Sequence, residues 1–231
     1  MRPHCTISAK IGHMKTVYFV RHGESEANVG TPVFQGEESR LTERGHEQAR
    51  FIAKRCSKLP IEVVIASPAA RAQDTAQYIS EVTDKNIVTE NLFTERKLPE
   101  ELIGKPVHSP QSETLYDLWE ASFFDETAKV GTGENFAELK ERAGKALAFL
   151  TTRAEENILV VTHGFFLRML VAQVIFGEAI TTEEFKKVIQ AIRTANTGLT
   201  LVEYEPIHGG AAGLPAPRWL IRVWNDHAHL G

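Results

Sequence analysis

The sequence predicts an α/β fold, a three-layer sandwich in which a mainly parallel central sheet lies between helices. Three observations predict it. Short continuous apolar runs ("VYFV", "VVIA", "ILVV") read as strands buried on both faces. Between them, apolar residues recur every three or four positions, the spacing of a helix with one buried side. Alternation of the two patterns requires crossover connections, which cover both faces of a parallel sheet with helices.

Taken in order, residues 16–20 form the first strand, and residues 42–58 a helix through Ala49, Ile52, Ala53, Cys56 and Leu59. "IEVVIASP" is a second strand stopped by Pro68, residues 69–80 a second helix, and residues 86–89 a short strand. The stretch 92–133 shows no clear periodicity, and it is too long for an ordinary connection. It is expected to be a lid or pocket wall. From Glu134 the helical pattern resumes through Phe136, Leu139, Ala143, Leu147 and Leu150. The strand "NILVVT" follows, then a buried helix in "HGFFLRMLVAQVIF", an amphipathic one in "TTEEFKKVIQAI", and strands in "GLTLVEYE" and "RWLIRVW". "IHGGAAGLPAP" between the last two reads as a loop. Residues 14–231 are expected to make a single domain, with residues 1–13 an N-terminal extension of no assigned role.

Composition narrows the function. A chain of 231 residues, 42% apolar, can bury a core without disulfides or a structural metal. With 26 basic against 30 acidic residues, a formal net charge of -4 and no basic run, nucleic acid and acidic membrane surfaces are poor partners. Cys5 and Cys56 lack paired spacing and read as a tail thiol and a core residue, which fits a reducing cytoplasm. No apolar run is long enough to span a bilayer, and the first residues lack a secretory signal. His227 and His229 have no acidic or thiol companions in ligand spacing, and no cofactor motif appears, so neither a metal nor a cofactor is expected. A homodimer stays open.

Three strands end in reactive groups: the first in Arg21-His22-Gly23, the second in Ser67-Pro68 with Arg71 a turn later, and "LVVT" in His163-Gly164. In a parallel sheet the carboxyl ends of neighbouring strands share one crevice, so these groups can converge. Two His and two Arg in one crevice make an anion site. The start of the helix after Pro68 adds its positive end, and the glycines after each histidine allow backbone N–H groups to approach a ligand.

"RHGESEAN", "FQGEESRLTERGHEQA", "SPAARAQDTA", "GENFAELKERA" and "VVTHG" together resemble the histidine phosphatase superfamily, in its phosphoglycerate mutase-like branch, from residue 16 onward. The resemblance implies a phosphomonoester substrate and a covalent phosphohistidine on His22. Arg21, Arg71 and His163 would bind the phosphoryl oxygens, with Asn28 a neutral donor. Ser25 is a further donor, and Gln35 and Gly36 shape the pocket. Glu95 in "LFTERK" matches the family's acid, although Glu90, Glu100 and Glu101 stand in the same charged run. Glu134 in "GENF" either supports the catalytic arginines, as in the family, or favours the dipole of the helix it precedes. "NDHAHL" is similar to phosphatase endings that lie near the active-site mouth; a frayed tail is the alternative.

The span from Glu95 to His163 is short compared with that of cofactor-dependent mutases, which favours hydrolysis over phosphoryl return. A catalytically silent binding module of the same fold is the reading from another class, but this chain keeps both His, both Arg and a candidate acid. Arg96, Lys97, Lys105, Trp119, Phe123 and Phe124 either wall a substrate pocket or form a satellite core.

Overall fold

The computed structural model describes residues 14–125, 128–206 and 217–231. Its centre is a six-stranded sheet built from β1 (Lys15–Arg21), β2 (Val63–Ala66), β3 (Ile87–Thr89), β4 (Asn157–Thr162), β5 (Leu199–Glu205) and β6 (Arg218–Asp226), in the order β3-β2-β4-β1-β5-β6. The pairs β3/β2, β2/β4 and β4/β1 are parallel. β5 is antiparallel to both β1 and β6, so it alone runs against the others.

Side-chain alternation along β1 sorts the helices into two layers. Tyr18 and Val20 face a core shared with α2 (Glu43–Cys56) and α3 (Ala70–Thr83), which includes Ile52, Cys56, Ala72 and Ile79. Val17 and Phe19 face the opposite core, with α5 (Phe136–Thr152), α6 (Gly164–Phe176) and α7 (Thr182–Ala191). This is the expected three-layer sandwich, with boundaries close to those read from spacing. Cys56 is fully buried, and desolvation pushes its thiol up to about 12. Residues 1–13, with Cys5, and the loop expected in "IHGGAAGLPAP", apart from Pro217, lie outside the described residues.

The segment without periodicity is structured. It holds 3-10 turns at Asn91–Phe93 and Glu100–Leu102 and a helix, α4 (Pro110–Ser122). Ser109 caps α4 by accepting from the Ser112 N–H, and Pro110 occupies its first turn. Only Ser112 and Trp119 of this helix are buried, which explains the weak pattern. No helix among the described residues is long and apolar enough to cross a membrane.

Candidate active site

Register places the three strand ends side by side. Arg21 pairs with Thr162 and Ala66 with Val161, so the next residues, His22, Ser67 and His163, emerge together at the carboxyl edge. The His22 N–H donates to Thr162 O at 3.0 Å and the Ser67 N–H to Val161 O at 3.1 Å. The rings of His22 and His163 lie 5.0 Å apart.

The tautomer of His22 follows from its partners. Nδ1 lies 2.7 Å from the Gly23 carbonyl oxygen, which only accepts, so Nδ1 carries the proton. Nε2 therefore keeps its lone pair, and it accepts from Arg71 Nε at 3.3 Å. Burial first, then the charges of Arg71 and Arg21, hold the imidazole well below its ordinary pKa of 6.5. His163 is likewise held neutral by burial and then by Arg71, His22 and Arg21. Its Nε2 meets Ser67 Oγ at 2.8 Å, while its Nδ1 is buried without a protein partner.

Arg21 donates from Nη1 to Thr194 O at 2.6 Å, and its Nε is also buried without a partner. Arg71, in the first turn of α3, reaches Gly36 O at 3.2 Å with Nη1. Desolvation lowers the pKa of both guanidiniums, with Glu95 the largest opposing influence in each case. Glu95 sits at the start of α6. Its Oε1 accepts from the N–H groups of Phe166 and Arg96 at 2.8 and 3.0 Å, and its Oε2 from Phe165 at 3.0 Å. Of the alternative acids, Glu90 caps the turn that follows it, Glu101 accepts from Thr132 Oγ1, and Glu100 lines the same cavity as Arg71 and Glu95.

Several expectations need correction. The N-terminal N–H groups of α3 are taken by carbonyls: Ala70 donates to Glu37 O and Arg71 to Ser39 O. The Gly23 N–H goes to Thr75 Oγ1, and the absence of a side chain there serves packing instead, because a Cβ would stand 2.6 Å from Gly45 O. Gly164 lets Arg21 lie close, since a Cβ would come within 3.2 Å of Arg21 Nε. Glu134 does not touch Arg21 or Arg71. It forms a buried two-pronged ion pair with Arg142, both contacts at 2.7 Å, and Arg142 also holds the carbonyls of Leu92, Thr94 and Glu95. The pair thus fixes the backbone that presents Glu95.

Asn28, in the short α1 (Glu26–Val29), is exposed, and its Oδ1 accepts from the Ser25 N–H and from Asn196 Nδ2. Ser25 Oγ and Gln35 Oε1 are buried without partners, and Gln35 and Gly36 line a cavity of about 590 Å³ that Arg71 and Glu95 share. Phe123 belongs to the main core on the Phe19 face of β1 and not to a satellite core, and Arg96 lies against it: Arg96 stacks 3.6 Å over Trp119 and 4.1 Å over Phe123 and pairs with Glu120 at 2.6 Å. Phe124 packs edge-on against Phe123, while Lys97 and Trp119 border the cavity.

Sequence reasoning missed the bridge at residues 194–198. Asn196 Nδ2 donates to His22 O at 3.1 Å, and the Thr197 N–H to Arg21 O at 2.9 Å. Thr197, a β-branched residue, is held at φ 56, and strain of this kind persists only where surroundings impose it. The tail imposes it here. His229 Nε2 contacts Thr197 Oγ1 at 3.0 Å, and Asn225 Oδ1 accepts from the Ala195 N–H. The chain end is neither frayed nor shown at a mouth; it braces the loop behind the nucleophile candidate. The contacts are mostly main-chain carbonyls, which no residue pattern announces. Among the described residues no group of three or more His, Cys, Asp or Glu side chains is placed to hold a metal ion.

The chain is 31% identical over 223 residues to a protein of Serratia proteamaculans named "Probable phosphoglycerate mutase GpmB", covering 94% of this chain and 95% of that one. Among solved structures, the alpha-ribazole phosphatase from Shigella flexneri shares the fold with a TM-score of 0.71 at 22% identity, over 91% of this chain and 96% of that one. A mycobacterial glucosyl-3-phosphoglycerate phosphatase does so with a TM-score of 0.68 at 19% identity, over 92% and 99%. The family model of the histidine phosphatase superfamily (branch 1) matches residues 17–212. On that match and the identity to the Serratia protein, the chain belongs to the histidine phosphatase superfamily, branch 1.

Proposed function

We propose that the protein hydrolyses small phosphomonoesters through phosphate carried on His22 Nε2. The observation that carries this reading is the His22 tautomer: Nδ1–H donates to Gly23 O, so Nε2 presents a lone pair beside Arg71. In the first step Nε2 forms its bond to phosphorus as the ester P–O bond breaks, and the Glu95 carboxyl gives its proton to the departing alkoxide. The ring becomes cationic, and the Gly23 carbonyl stabilises it through Nδ1–H. In the second step the Glu95 carboxylate takes a proton from water as the water oxygen bonds to phosphorus and the P–Nε2 bond breaks.

Arg21 and Arg71 neutralise the equatorial oxygens, and His163 joins them from Nδ1 when the Ser67 hydroxyl donates to Nε2. Residues 94–103 and α4 wall the leaving-group side. His22→Ala is expected to abolish turnover and acid-labile phosphate while leaving the circular dichroism spectrum unchanged. A folded variant that retains activity overturns the mechanism.

The names of the curated relatives favour a second reading, phosphoglycerate mutase activity through the same phosphohistidine. Incubation with 3-phosphoglycerate and a trace of 2,3-bisphosphoglycerate separates the two. Inorganic phosphate as product supports hydrolysis, and 2-phosphoglycerate without phosphate release supports the mutase.

A further inference from the structure

We propose that the cavity beside Arg71 and Glu95 selects phosphomonoesters of an uncharged or cationic alcohol that offers a hydroxyl or N–H, and rejects esters carrying a second anionic group. This specificity rests on the hydrolytic reading above.

The inference comes from which charges in the cavity remain uncommitted. Arg71 is directed at His22 and Gly36 O. Arg96 is buried, stacked on Trp119 and paired with Glu120, so it is not a free cation for a ligand. Beyond the catalytic candidates the lining then holds three carboxylates, Glu37, Glu38 and Glu100, against the single ammonium of Lys97. Lys97 also exerts its charge on Glu138, outside this cavity. Glu37 and Glu38 line the cavity together with Arg71 and act on its guanidinium. Glu38 is fixed there, because its Oε1 accepts from the Gly36 N–H at 2.9 Å.

An ester with a carboxylate or second phosphate would set that charge against these three carboxylates with one lysine in reach, and like charges oppose binding. A neutral ester meets no such opposition. Gln35 adds a positive preference: its Oε1 is buried in the wall without a protein partner, and an amide oxygen is satisfied only by a donor. Leu98 and Ile103 add apolar side chains to the wall.

Two esters of equal size isolate the effect. Glycerol 3-phosphate and 3-phosphoglycerate differ by a hydroxymethyl against a carboxylate, and phosphoethanolamine supplies the cationic case. At low ionic strength kcat/KM for glycerol 3-phosphate and phosphoethanolamine is expected to exceed that for 3-phosphoglycerate by at least about tenfold, and the ratio to narrow in about 0.5 M salt as screening sets in. The Glu37→Gln/Glu38→Gln double variant should narrow it by at least about threefold, since a neutral amide replaces each charge. Turnover of 3-phosphoglycerate as good as or better than that of glycerol 3-phosphate, with phosphate still trapped on His22, overturns the specificity and leaves hydrolysis standing. Failure to turn over any ester, with no phosphate on His22, overturns the hydrolytic reading and the specificity with it. If the double variant does not fold, the salt series on the unaltered protein decides: a ratio independent of salt is a rejection.

Discussion

Replacing Arg142 by methionine tests whether the Glu134–Arg142 pair is the fastening that presents Glu95. Arg142 makes five hydrogen bonds, two to the Glu134 carboxylate and three to the carbonyls of Leu92, Thr94 and Glu95. Glu134 is only 5% exposed, so removing the guanidinium leaves a buried carboxylate whose remaining contact is the Lys97 N–H at 3.3 Å. Breaking a buried pair from one side costs about 3–5 kcal/mol, because an uncompensated charge stays inside. For a domain of this size that corresponds to a fall in Tm of roughly 6–20 °C. Methionine keeps much of the aliphatic volume, so packing loss contributes little. The assay is urea unfolding of Arg142→Met, Glu134→Gln and the double variant, with kcat measured on each. The double variant should recover part of the loss, since it buries no unpaired charge, yet kcat should stay low because the 92–95 backbone has lost its anchor. A single variant that loses less than about 1 kcal/mol would refute the reasoning, for the pair would then be no stronger than a surface one.

Arg71→Lys keeps the charge but cannot serve His22 Nε2, Gly36 O and a phosphoryl oxygen at once, so kcat should fall at least about tenfold, or roughly 1.4 kcal/mol, with KM less affected; steady-state kinetics with wild-type kcat would reject it. Gly45→Ala should destabilise by about 1–3 kcal/mol despite alanine's better helix propensity, because the new Cβ would stand 1.9 Å from Glu24 O. A rise in Tm would mean that the loop beside His22 moves freely. His22 and His163 bind protons less readily in the folded chain than unfolded, where the ordinary value is 6.5. Their contribution is therefore complete above about pH 6.5 and is lost as pH falls below it, by up to about 1.4 kcal/mol per unit for each histidine. Urea midpoints that stay flat from pH 7 to 5 would contradict this.

The strands and most helices were legible because burial dictates their residue types: "VYFV" and "ILVV" admit few other readings. That the candidate site residues share one edge was legible for a related reason, since parallel strands bring their ends together whatever lies between them. What failed were features set by tertiary contact. α4 carries almost no apolar stripe, as it buries little more than Trp119. Glu134 lies one residue before the Asn135 cap of α5, and nothing in "GENF" says that its partner is Arg142, two turns along. The stretch from Glu90 to Glu101 offered four acids, and only folding separates a carboxylate at the start of α6 from one that caps its own turn.

The central position of β1 has a consequence for how the chain acquires its structure. Thr16 pairs with Asn157 and also with Glu203, so the apolar strand emerges from the ribosome long before either neighbour exists. At translation rates of about 5–20 residues per second the wait lasts roughly ten to forty seconds, during which Val17, Phe19 and Val20 have no sheet to join. The bridge at 194–198 arrives only just ahead of β5, and the His229 brace comes later still. Nascent chains halted before β5 should therefore be aggregation-prone and bound by holdase chaperones, and catalytic competence should arise in a single late step.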